Sequence, residues 1–196
     1  MDPHFTLIID TSTERSLVIF AEGRDVLLEI LLPVGAQSSR SLMSELERGF
    51  KQIGRRPKDL QALGVGVGPG SYTGIRVGVA AAIGLTFPES LPLIGFCSLA
   101  GFINSTQGRF ASVIDARQGG SYVLLQEKRG QNFIEHAPPR LFSRTELPPL
   151  LAEWPPLAGP HISYPDSTHL AHLIHQKLQS SSGKAPLELL YLHNPY

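Results

Sequence analysis

Val65-Gly66-Val67-Gly68-Pro69-Gly70-Ser71-Tyr72-Thr73-Gly74-Ile75-Arg76-Val77-Gly78 is the stretch on which the fold turns. It joins an apolar run of strand character, Ala62 to Val67, to a segment of helical character, Tyr72 to Phe87, which Pro88 closes. Glycines after a strand allow a tight turn with positive φ. The free N–H groups that open the following helix favour an anion, so a phosphate cradle is one reading of the turn. A plain strand-to-helix connection is the other. The string lacks the Gly-x-x-x-x-Gly-Lys-Ser/Thr pattern, has no neighbouring lysine and does not carry the spacing of a dinucleotide fingerprint. The helix adds a second signal. Gly74, Gly78 and Ala82 recur every fourth residue along one face, and a glycine inside a helix costs about 1 kcal/mol relative to alanine. Missing side chains of this kind serve the close approach of another backbone, either this chain's own sheet or a helix of another chain.

Outward from that stretch, Phe5 to Ile9 is a branched apolar run that ends at Asp10 and reads as a buried strand. Ser16 to Phe20 is a second strand. The turn Glu22-Gly23-Arg24-Asp25 leads into a third, Val26 to Leu32. Leu42, Leu46, Phe50 and Ile53 then recur at helical spacing with Met43 alongside, and Gly54 and Pro57 stop that helix. Leu93 to Gly95 returns as a short strand. The second half repeats the opening: Ile114-Asp115 lies over Ile9-Asp10, Ser121 over Ser16 and Val123 over Val18 without a gap. This is an internal repeat of strand, acidic turn and strand, against which stands a chance match of a common pattern. Beyond Gln131 the pairs Pro138-Pro139, Pro148-Pro149 and Pro155-Pro156 punctuate the chain. Thr145 offers a cap for a short helix, Leu170, Leu173, Ile174 and Leu178 mark an amphipathic helix, and Leu187 to Leu192 is an extended apolar segment. Two lobes are expected, residues 1–100 and a shortened 101–196.

The 196 residues are 42% hydrophobic and 17% charged, with a formal net charge of +0, so a core can form. A chain that grips nucleic acid alone carries a basic excess, so any RNA is expected to be held through a partner. Cys97 is the one cysteine, which excludes an internal disulfide and suits a reducing compartment. The start has neither the basic region nor the apolar run of a signal peptide, and no run spans a membrane. A cytoplasmic protein is expected. Asp10 with Thr11 and Ser12, and Asp115 with Arg117, follow strands and read either as holders of a phosphate-linked metal or as Asx turns. His169, His172 and His175 are spaced by three rather than four, which favours a solvated helix face over zinc. Cys97 reads as a small core residue, Tyr72 and Phe87 read as packing, and Ser71 has no histidine near it in sequence to make it a nucleophile.

Leu7-Ile8-Ile9-Asp10-Thr11-Ser12-Thr13, then Gly68-Pro69-Gly70-Ser71-Tyr72-Thr73-Gly74-Ile75-Arg76-Val77-Gly78, then Ile114-Asp115-Ala116-Arg117, resemble the TsaB (YeaZ) family in order and spacing, and the ending Leu190-Tyr191-Leu192 is similar to its tail. The resemblance implies an α/β fold of the actin-like, Hsp70-like ATPase (ribonuclease H-like) class, with mixed sheets, flanking helices and a reduced second lobe. It implies a non-catalytic part in threonylcarbamoylation of the adenosine beside the tRNA anticodon. The partners implied are a TsaD-like catalytic subunit, a TsaE-like ATPase and, through the complex only, tRNA. Docking would use the helices Ser39 to Ile53 and Tyr72 to Phe87, with Leu42, Met43, Leu46, Gly74, Arg76, Gly78, Val79 and Ala82 at the interface, and self-association would use the same surface. Asp10, Thr11, Ser12, Gly70, Ser71, Asp115 and Arg117 would be vestigial phosphate loops, with ATP or ADP at the partner interface rather than in the isolated chain. TsaD-like proteins carry a His-x-x-x-His metal pair on the first helix, and Gln37-Ser38-Ser39-Arg40-Ser41 has no histidine. No catalytic or metal residue is therefore assigned. On this reading a bulky residue at Gly78 breaks the complex and leaves the fold intact. The alternative is an independent ATP-binding phosphotransferase of the same fold.

Overall fold

A computed structural model describes residues 4–33, 37–116, 120–157, 164–180 and 187–190, with backbone only for 37–39. Arg117, Tyr191, Leu192 and His193 lie outside the described residues. The first sheet contains β1 (Phe5–Asp10), β2 (Leu17–Glu22), β3 (Asp25–Leu31), β4 (Ala62–Gly66) and β5 (Leu93–Phe96) in the order β3-β2-β1-β4-β5. β1, β2 and β3 pair antiparallel, as the meander predicts, while β4 runs parallel to β1 and β5 parallel to β4. All six residues of β1 are buried because helices cover both faces of the sheet, which explains a continuous rather than alternating apolar run. Helices α1 (Gln37–Gln52) and α2 (Tyr72–Thr86) close one face, where Leu42, Leu46, Phe50, Ile75, Val79 and Ala82 share a core with Leu7, Ile9, Phe20 and Val65.

The second sheet is built on β7 (Gly120–Arg129), which pairs with β6 (Gly108–Asp115), β8 (Asn132–Glu135) and β9 (Arg140–Ser143). Helix α3 (Leu147–Glu153) lies over it, with Leu147, Leu150 and Leu151 against the cluster of Ala111, Val123 and Trp154. Helix α4 (Ser167–Gln179) comes from the second half of the chain yet packs on the first sheet. Its Leu170, Ala171 and Ile174 meet Ile8, Leu17, Ile19, Ile94 and Phe96.

The repeated hairpin is present with an altered register. Asp10 stands opposite Leu17 but Asp115 opposite Ser121, so the second connection is one residue shorter than the gapless overlay implies. Two features of the proline-rich stretch differ from the sequence reading. Pro148 and Pro149 sit in the first turn of α3, where proline is tolerated because its missing N–H has no intrahelical acceptor, and Glu146 rather than Thr145 is the N-cap residue. β8 and β9 are four residues each and largely exposed, so they carry no alternation to read.

Candidate functional site

The end of β1 and the start of α2 interlock. Asp10 is 1% exposed. Its Oδ1 accepts from the Ser12 N–H at 2.9 Å and the Ser12 hydroxyl at 2.6 Å, an Asx turn. Oδ2 has no hydrogen bond among the described residues, although the Ser98 hydroxyl is near enough to favour the charged form. Gly66 on β4 backs the carboxylate, and a Cβ there would collide with it. Burial outweighs these hydrogen bonds and raises the Asp10 carboxyl above the usual range. Next in the chain, the Thr11 hydroxyl donates to the Gly74 carbonyl at 2.6 Å, and the Ser71 N–H donates to the Ser12 carbonyl at 2.6 Å. Gly70 and Gly74 lie where a Cβ would strike the Ser12 and Thr11 carbonyl oxygens. Ser71 caps α2 by accepting from the Gly74 N–H at 3.2 Å. Gly68 has φ 99°, the positive value its turn was expected to need, and exchanges hydrogen bonds with Ser98.

This arrangement does not fit the phosphate-linked metal that the fold class implies. A phosphate-linked metal needs an open carboxylate for the cation and free helix N–H groups for the phosphate. Asp10 is sealed, the Ser71 N–H is bound to Ser12, and the Gly74 N–H is bound to the Ser71 hydroxyl. Asp115, at the matching end of β6, is exposed instead. Among the described residues no group of three histidine, cysteine or acidic side chains is placed to hold a metal. His169 is not on a solvated face as expected: its ring packs edge-on to Phe133 at 4.6 Å, and burial lowers its pKa. Cys97 is half-buried, and desolvation pushes its thiol up to about 12, so it is inert as a nucleophile.

The interface residues expected from sequence divide sharply. Leu42, Leu46, Gly74, Gly78, Val79 and Ala82 are buried in this chain's own core. The glycine face of α2 serves its own strand, since a Cβ on Gly78 would stand 2.5 Å from the Thr11 hydroxyl oxygen and 3.7 Å from Ile9. These six are corrected from interface to core, and Gly78 is no probe of docking alone. Met43 and Arg76 point outward. Tyr72 and Phe87, read as packing residues, are 55% and 79% exposed, and Ile83 is 47% exposed. With Arg76, Ala80 and Gly84 they form the outer stripe of α2. The Arg76 guanidinium stacks 3.7 Å from the Tyr72 ring centroid, and a Cβ on Gly84 would have nothing within 4 Å. A signal for this stripe was present in the sequence. From Tyr72 to Thr86 only Arg76 is charged, and a helix apolar all round is one that buries both faces.

A family model described as TsaD, tRNA N6-adenosine threonylcarbamoyltransferase, matches residues 33–146. The tRNA threonylcarbamoyladenosine biosynthesis protein TsaB of Escherichia coli K12 is 32% identical over 139 residues, 66% of this chain and 58% of that protein. The Bacillus subtilis protein of the same name is 30% identical over 128 residues, 63% of this chain and 56% of that one. The chain thus spans less than three fifths of these relatives. A Pseudomonas aeruginosa structure, described as an uncharacterized protein with similarity to peptidase YEAZ, superposes with TM-score 0.79 at 19% identity, covering 97% of this chain and 100% of that one. YeaZ from Pseudomonas aeruginosa gives 0.76 at 19%, covering 90% and 92%. These two likenesses show a shared fold, and with the family model they give the actin-like class.

Proposed function

The chain belongs to the TsaB (YeaZ) family, and from that premise we propose that it is a non-catalytic scaffold partner of a TsaD-like catalytic subunit in threonylcarbamoylation of the adenosine beside the tRNA anticodon. The observation that carries this reading is the outer stripe of α2. Tyr72, Ile83 and Phe87 stay exposed after the inner face has been used for the chain's own sheet. Full burial of one phenylalanine or isoleucine side chain is worth about 1.5–3 kcal/mol. Three such apolar side chains, with an exposed Met43 on the neighbouring helix α1, supply the apolar centre of an interface. A TsaE-like ATPase and tRNA join through the complex, and a second copy of the chain competes for the same stripe. The sealed Asp10 supports a role without nucleotide bound in the isolated chain, ATP or ADP being held at the partner interface.

Co-expression with the organism's TsaD-like protein tests the proposal. Sizing is expected to show a joint complex, and a tRNA modification assay is expected to require this chain. Ile83→Asp abolishes both while circular dichroism stays unchanged. Modification that proceeds at full rate without the chain refutes the reading. Calorimetric titration of ATP into the isolated chain separates the phosphotransferase alternative, which requires heat of binding and its loss on Asp10→Ala.

A further inference from the structure

Three contacts join the turn after β1 to successive points along α2. The Ser12 carbonyl accepts from the Ser71 N–H, the Thr11 hydroxyl donates to the Gly74 carbonyl, and the same hydroxyl oxygen lies against Gly78. Thr11 is buried, so its hydroxyl reaches no solvent partner. The two residues it touches sit on the inner side of the helical turns whose outer side presents Tyr72 and Arg76. A residue that holds the inner side at two levels sets how the helix is rotated about its own axis. With a helix of about 10–12 Å diameter including side chains, a rotation of roughly 20° moves an outer side chain by about 2 Å. Interface packing as dense as a protein interior does not tolerate that displacement.

We infer that Thr11 is a positioning residue for the partner-binding stripe: its hydroxyl, anchored on Gly74 and fitted against Gly78, fixes the rotation of α2 that presents Tyr72, Arg76, Ile83 and Phe87 together. The inference rests on the docking reading given above. Hydrophobic packing of Ile75, Val79 and Ala82 holds α2 on the sheet but is non-directional. The hydrogen bond supplies the direction.

The test compares Thr11→Val, which puts a methyl group in place of the hydroxyl, with Thr11→Ser, which keeps the hydroxyl and removes the methyl group. Full-length variants are titrated calorimetrically with the TsaD-like protein at a temperature where denaturation curves show every variant fully folded. Thr11→Val is expected to weaken binding about tenfold, and Thr11→Ser to stay within about twofold of wild type. A purely structural role would make the two follow their melting temperatures instead. Should the valine variant fail to fold, Thr11→Ala against Thr11→Ser makes the same comparison. Equal affinity of Thr11→Val and wild type, alongside lost binding by Ile83→Asp, overturns the inference and leaves the docking reading standing. Absence of any association by the wild-type chain overturns the docking reading, and the inference with it.

Discussion

Gly84→Ala and Gly78→Ala place the same methyl group on opposite faces of α2, and the structure assigns them opposite effects. At Gly84 the new Cβ meets nothing within 4 Å. The substitution therefore gains only helix propensity and lower entropy of the unfolded chain, about 0.5–1 kcal/mol. For a domain of this size that raises the midpoint by about 1–4 °C. At Gly78 the methyl carbon would stand 2.5 Å from the Thr11 hydroxyl oxygen, whose hydrogen bond to Gly74 measures 2.6 Å. Overpacking costs about 1–3 kcal/mol and a weakened hydrogen bond about 0.5–1.5 kcal/mol. The propensity gain of about 1 kcal/mol offsets part of this, leaving a loss of about 0.5–3.5 kcal/mol. Urea titrations of both variants measure the two signs directly. Titration with the TsaD-like protein adds the functional half: Gly84→Ala is expected to weaken docking although it stabilises the fold, because it adds bulk to the outer stripe. A destabilised Gly84→Ala, or a Gly78→Ala as stable as wild type, refutes the assignment of inner and outer faces.

Asp10 has a carboxyl raised by burial, so its neutral form stabilises the fold below the unfolded value of 3.8 and that contribution is lost as pH rises through the folded value. Asp10→Asn is expected to show a flatter dependence of unfolding free energy than wild type as pH rises above the ordinary carboxylate value of 3.8, measured by denaturant titration. His169 and His175 are lowered, chiefly by burial, with Arg24, His4 and His172 adding to the effect at His175. Below the ordinary value of 6.5 the unfolded chain binds protons first, so stability falls as pH drops through and below that value, and His169→Gln with His175→Gln reduces that fall. A Cβ on Gly49 would run into the Phe20 ring and Ile30. Gly49→Ala is expected to lower stability by about 1–3 kcal/mol in thermal melts despite its better helix propensity.

The residues carry much of this protein openly. Local rules suffice for a strand that ends in an aspartate, a glycine turn that needs a positive φ at Gly68, a capped helix after it and an amphipathic late helix, because each depends on the chemistry of neighbours in the chain. The first two family strings lie on those same elements. What the sequence left open was which side of α2 faces which backbone. Gly74 and Gly78 say only that something approaches closely. Thr11, more than sixty residues earlier, decides that it is this chain's own turn. The same holds for Asp10, whose type fits a metal ligand and whose sealing behind Gly66 depends on the pairing of β1 with β4. Residue type and spacing determine what a group can do. Which partner it meets is settled by contacts between distant segments, and these exist only once the sheet has formed.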